Sequence, residues 1–212
     1  QPVQRTAQCI GFFPRVSRLC KAVVSGPAAP FARRVRRPSH KAHVAAKQCG
    51  IKLIVGAEFF VDMTHGEEKN SVENIIMLAP TRQAYGQLSA FISKIRRKNQ
   101  KGNSYLRYED CQIGLSDCLI LWSPKLQDID IQVSVGQKLK TIFQHFWITL
   151  ELFQDGFDID KTAQALTLSS RLNLRLVASN NVHTHVPERQ PLQDIITSIR
   201  YQCSLEELGH QT

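Results

Sequence analysis

The chain has 212 residues, 42% of them apolar and 21% charged, enough for one sizeable domain with a full core, and this balance places it among soluble globular proteins. No apolar run approaches the roughly 18 residues of a membrane span, so no membrane partner is implied. The formal net charge of +9 would suggest an anionic partner, but residues 1–57 hold eleven Lys/Arg and no acidic residue, leaving 16 of the 27 basic residues against 18 acidic ones in the slightly acidic remainder.

The first forty residues mix Pro, Arg, Cys and Ala with no sustained period. Their lack of acids fits a mitochondrial presequence, whereas the prolines at 14, 27, 30 and 38 argue against the helix such a presequence needs. "ARRVRRPSHK" (Ala32 to Lys41) reads as a solvated basic tail, with a nucleic-acid patch or localisation signal as the alternative. After residue 41 the texture changes. "KAHVAAKQCG" predicts the last turns of a helix closed by Gly50 in a left-handed cap.

"IKLIVGAEFFV" (Ile51 to Val61) predicts a buried strand, and His65 falls in the polar loop that follows. "ENIIMLAP" predicts a second strand. "TRQAYGQLSAFISKIRRKNQKG" predicts an amphipathic helix opening at Thr81, with Tyr85, Leu88, Phe91, Ile92 and Ile95 on its apolar face. "CLILWSP" (Cys118 to Pro124) and "FWITLELF" (Phe146 to Phe153) predict strands. "DIDKTAQALTLSSRLN" predicts a helix, "LRLVASN" a further strand and "PLQDIITSIR" (Pro191 to Arg200) a helix that opens on proline and buries Leu192, Ile195, Ile196 and Ile199. Strands alternating with helices predict an α/β fold with a largely parallel sheet and functional residues at the strand tips. The six cysteines show neither a CxxC nor zinc-ribbon spacing, which is the usage of reduced thiols in a cytoplasmic protein.

Two strand ends carry ligand chemistry. Glu58 follows "IVGA", and Asn180, Asn181 and His183 follow "LRLVAS", with His185 two residues further on. A carboxylate and an imidazole on one face could share a divalent metal, but a hydrolytic centre needs three or more such ligands and an open position for water. Glu58 alone reads equally well as a salt-bridge or capping residue, and His183 alone as a structural histidine.

The stretches "AHVAAKQCGIKLIVGAEF", "AYGQLSAFISKIRR", "GLSDCLILWSP" and "LVASNNVHTHVPERQPLQDIITSIR", in this order, closely resemble the N-terminal PHP (polymerase and histidinol phosphatase) domain of bacterial C-family DNA polymerases, in the error-prone variant related to the DNA polymerase III α subunit. The resemblance covers about Ala42 to Gly209. It implies a PHP domain over residues 42–212, folded as a distorted seven-stranded β/α (TIM-like) barrel that is incomplete at its N-terminus. It also implies a metal face on which Glu58 matches the "GAE" carboxylate and His183 the last histidine.

The departures imply loss of chemistry. Asn181 replaces the aspartate of the closing Asp-x-His, Asn74 stands about where active members can have a histidine, and the HxH of the first strand is absent. Residues 1–41 then gain a third reading, as the aberrant Arg/Pro-rich product of a frameshifted gene start. The resemblance implies a truncated or fragmentary product of a DNA-directed DNA polymerase gene of DNA replication and translesion repair. Its parent's Mg-dependent palm lies outside the chain, and its partners are DNA and the polymerase thumb and palm domains. The chain alone is expected to be a non-catalytic structural domain whose degraded site retains Zn or Mn at most. The alternative is a metal-dependent PHP phosphoesterase or 3′–5′ proofreading nuclease. Arg189 and Arg200 read as surface ion-pair partners in preference to phosphate contacts.

Overall fold

A computed structural model of the protein describes residues 19–23, 43–44, 46–50, 52–63, 72–99, 106–112, 114–153, 156–179 and 187–208. Most of residues 1–41, the loop holding His65, and the Asn180–Asn181–Val182–His183 cluster with His185 lie outside these described residues. The chain divides into two compact units, Cys9–Asn180 and a second made of Gln1–Gln8 with Asn181–Thr212.

The larger unit is a mixed α/β layer. Its strands are β1 (Leu19–Val23), β2 (Lys52–Asp62), β3 (Val72–Ala79), β4 (Leu106–Arg107), β5 (Leu119–Ser123), β6 (Phe146–Glu151) and β7 (Leu176–Ser179). Its helices are α1 (Arg82–Lys98), α2 (Ile129–Ile142) and α3 (Asp158–Leu172). The strands join one sheet in the order β1-β2-β3-β5-β6-β7, and β4 pairs with β2 beyond the end of β1. No ladder joins β7 to β1 among the described residues.

Local chemistry sets most of these boundaries. Gly50 takes the left-handed conformation (φ 65°) just before β2. Thr81 caps α1, its hydroxyl accepting from the Ala84 N–H at 3.1 Å. Asn173 stops α3 in the left-handed region (φ 50°), and the Leu174 N–H bonds the Ser169 carbonyl.

The largely parallel sheet requires one correction. β3 runs antiparallel to both β2 and β5, whereas β1–β2, β5–β6 and β6–β7 are parallel. Too few residues separate β2 from β3 for the crossover that parallel strands need, so the chain turns back directly. Around β6 the connections do contain helices, α2 before it and α3 after it, and there the strands are parallel.

Helices α1, α2 and α3 cover one sheet face. Ala57, Val61, Ile75, Met77, Ile120, Trp122 and Ile148 point into this core against Leu88, Phe91, Ile95, Val135, Leu139 and Leu168. Tyr85, expected on the apolar face of α1, is 46% exposed, and Ala84 is buried in its place. Among the described residues the interior carries a polar knot. Trp122 donates its indole N–H to Glu73 Oε2 at 2.9 Å, and Gln132 Nε2 donates to Glu73 Oε1 at 3.4 Å, all three side chains being fully buried. Two thiols also sit inside: burial pushes Cys111 up to about 12 and Cys118 up to about 11, which makes both poor nucleophiles.

In the smaller unit α4 (Gln190–Tyr201) carries proline in its first turn and ends at Gln202 in the left-handed region, followed by the single-turn α5 (Leu205–Leu208). The apolar stripe of α4 is not buried as its sequence predicts. Leu192, Ile195, Ile196 and Ile199 are all exposed, and α4 buries Thr197 instead, whose hydroxyl bonds the Gln193 carbonyl. Among the described residues of this unit, α4, the single turn Pro187–Arg189 before it and α5 offer too little apolar surface to cover a four-residue stripe. Among the described residues no helix is long and apolar enough to cross a membrane.

Candidate functional site

Glu58 lies inside β2, four residues before the strand's end, because the aromatic and branched run "FFV" carries the extended conformation on to Asp62. This replaces the strand-tip position expected from sequence. Alternation along β2 puts Glu58 on the sheet face opposite α1, α2 and α3, in line with Gly56 and Phe60.

The ladder defines what surrounds it. Glu58 pairs with Ile76, and Ile76 with Leu121, which in turn pairs with Trp147. One row further on, Phe60 pairs with Asn74 and Asn74 with Ser123. Glu58 therefore stands on a boundary. One side is a small apolar cluster of Ile76, Leu78 and Leu121 with Ile54, Leu119 and Trp147, and the other is the polar pair Asn74 and Ser123.

Asn74 resolves this boundary chemically. Its Nδ2 donates to Glu58 Oε1 at 2.8 Å, across the antiparallel β2–β3 ladder. A neutral amide thus satisfies one carboxylate oxygen in a partly apolar setting, without an opposite charge. The geometry also fixes the amide's orientation, since turning it over would set two oxygens against each other. Asn74 Oδ1 is then left buried and without a hydrogen-bond partner.

Of the residues predicted to form the site, Glu58 and Asn74 are brought together. Asn181 and His183 lie outside the described residues, and so do Asn180 and His185. Among the described residues no three His, Cys, Asp or Glu side chains converge on a common point. The described part of the site contributes one anionic side chain, Glu58, one of whose carboxylate oxygens is bonded to an amide. The direct Glu58–Asn74 bond was missed in the sequence because it depends on the reversed direction of β3. The short link between β2 and β3 was the available signal.

No family model matches the chain. Over 172 residues it is 38% identical to the error-prone DNA polymerase of Methylococcus capsulatus, a match covering 80% of this chain and 15% of that protein. It is 35% identical over 169 residues to the error-prone DNA polymerase of Saccharophagus degradans, covering 80% of this chain and 16% of that protein. The error-prone DNA polymerase of Dechloromonas aromatica gives 35% identity over 176 residues, with the same two shares. The chain thus spans about a sixth of the length of these curated relatives.

Proposed function

We propose, from a chain homologous over four fifths of its length to a segment of error-prone DNA polymerases, that it is the PHP domain of such a C-family polymerase and acts as a non-catalytic structural piece. In this reading the mixed sheet is the distorted β/α barrel of that domain, incomplete at its N-terminus. The domain supports a cytoplasmic polymerase through contacts with its thumb and palm, and the Mg-dependent synthesis of DNA belongs to those other domains.

The observation that carries the reading is the Glu58–Asn74 hydrogen bond. In this bond the Glu58 carboxylate takes one of its partners from a neutral amide, which occupies one of its two oxygens and brings no charge. Asn181 supports the same reading, because a neutral side chain there removes a second anionic ligand. If Zn or Mn binds, Glu58 and His183 are the residues to hold it.

The alternative is a metal-dependent phosphoesterase or 3′–5′ nuclease. One observation favours it: the orphaned Asn74 Oδ1 is an oxygen donor next to Glu58. The two readings separate in one assay. Purified chain supplied with Zn²⁺ or Mn²⁺ is expected to release no phosphate from a phosphomonoester and no nucleotide from the 3′ end of single-stranded DNA. Metal-dependent turnover that disappears in His183→Ala would overturn the structural reading.

A further inference from the structure

Aromatic and aliphatic side chains crowd one end of the sheet. Strands β5 and β6 are parallel neighbours, so the segments that leave their C-terminal tips emerge at the same end. Five large apolar residues there are exposed: Leu126 after β5, Leu152 and Phe153 after β6, and Phe157 and Ile159 at the start of α3. Phe157 is 55% exposed and Ile159 82%, the most open large apolar side chain among the described residues. Single exposed apolar residues are ordinary, whereas a group of them at one place marks an interaction surface.

Two sets of bonds gather the five. The Phe153 N–H donates to Asp158 Oδ1 at 3.1 Å, which draws the end of β6 to the start of α3. Gln164 Nε2 donates to the carbonyls of Lys125 and Gln127, at 3.0 and 3.3 Å, and so holds the turn that carries Leu126 against α3.

The surroundings are acidic. Residues 125–131 and 151–161 together hold six Asp/Glu against two Lys, a net charge of −4 in a chain whose total is +9. Asp128, Asp130 and Asp160 are exposed. The helix dipole accounts for acids at the starts of α2 and α3, but it does not account for large apolar side chains left open among them. The surface already receives cations from its own chain: Arg171 pairs with Asp130 at 2.6 Å, and Lys161 Nζ lies over the Phe153 ring, 5.3 Å from its centroid.

We infer that this end of the sheet is a docking surface for a basic, amphipathic segment of another polypeptide. The aromatic and aliphatic side chains supply the anchors, and the carboxylates around them steer and orient a segment that carries Lys or Arg. The same charge disfavours other occupants. Anionic lipid and nucleic acid are repelled, and two copies meeting through this surface would set like charge against like. None of these side chains takes part in the Glu58–Asn74 pair, so the surface is independent of the reading of the chain as a polymerase domain.

The test is fluorescence anisotropy of a labelled amphipathic peptide of Leu and Lys titrated with the full chain, beside a counterpart with Glu in place of every Lys. Phe157→Ser with Ile159→Ser is expected to weaken binding of the Lys peptide about tenfold or more, the loss expected when two interface anchors are removed. Asp128→Asn with Asp160→Asn should weaken it about threefold and flatten its dependence on salt. Ser at 157 and Asn at 128 suit the N-cap positions they occupy, so circular dichroism spectra and melting curves should stay unchanged. Ile195→Ser with Ile199→Ser, in the exposed stripe of α4, should leave binding intact. An equal loss in that control would show general adhesion to apolar surface and overturn the inference. So would unchanged affinity in Phe157→Ser with Ile159→Ser, no binding of the Lys peptide at all, or binding of the Glu peptide that falls by the same factor in that variant. A wild-type chain that sediments as a dimer while the same variant sediments as a monomer would overturn it in favour of a second copy. Binding to phosphatidylglycerol vesicles that the variant loses would overturn it in favour of a lipid surface.

Discussion

Replacing Trp122 with alanine should cost the larger unit about 3–5 kcal/mol of unfolding free energy, the range for removing a large buried aromatic. The side chain is fully buried on β5 and stacks on Phe146 with ring centroids 6.1 Å apart. Its loss leaves a cavity between the sheet and α2, and it also withdraws the indole donor from the buried Glu73 carboxylate. Leaving a buried acceptor short of a donor costs about 1–3 kcal/mol, so the effect belongs at the upper end of the range. Trp122→Phe helps to separate the two contributions, because it keeps a ring for the stack while removing the donor and only part of the buried volume. Urea unfolding followed by far-ultraviolet circular dichroism should show the alanine variant losing clearly more stability than the phenylalanine one. Equal losses would mean that packing contributes nothing beyond the hydrogen bond.

Gly136→Ala should destabilise the same core by about 2 kcal/mol, against the sign that helix propensity alone predicts. In a helix interior alanine is favoured over glycine by about 1 kcal/mol. At this position, however, an added Cβ would collide with Leu172 and lie 2.9 Å from Trp122 Cζ3 and 3.2 Å from Cη2. Leu172 can rotate away. The indole is held by Glu73 and by its stack on Phe146, so the strain falls on it or on the backbone of α2. Overpacking of this kind costs about 1–3 kcal/mol, which outweighs the propensity gain at the upper end of its range. A control at Gly86→Ala meets open space and should be stabilising by roughly the propensity difference. A stabilised Gly136→Ala would show that α2 stands further from the sheet than described.

The same residues explain why some elements could be read from sequence and others could not. Thr81, Gly50 and Asn173 are residue types with a narrow conformational role, and each closes or opens its element where expected. The branched runs of β2, β3, β5 and β6 announce buried strands with little ambiguity. Helix α2 went unassigned, for a physical reason. "IDIQVSVG" is rich in branched residues, alternates like a strand and carries Gly136 in its interior, so local preference opposes the helix and burial of Val135 and Leu139 decides it. β1 and β4 are short pairings with β2 and leave almost no trace in composition.

The candidate site divides in the same way. Residue type singled out Glu58 and Asn74, and chain direction joined them, which no periodicity encodes. On α4 the period of Leu192, Ile195, Ile196 and Ile199 located the apolar stripe. It held no information on whether anything covers that stripe, and the four side chains prove exposed.

We propose that Glu58, held by the Asn74 amide, no longer serves a metal. Equilibrium dialysis of the purified chain against Zn²⁺ and against Mn²⁺, followed by elemental analysis, tests it directly when run beside Glu58→Gln. Both proteins are expected to retain the same amount of metal, below one equivalent. Stoichiometric metal in the wild-type chain that is lost in Glu58→Gln would contradict it.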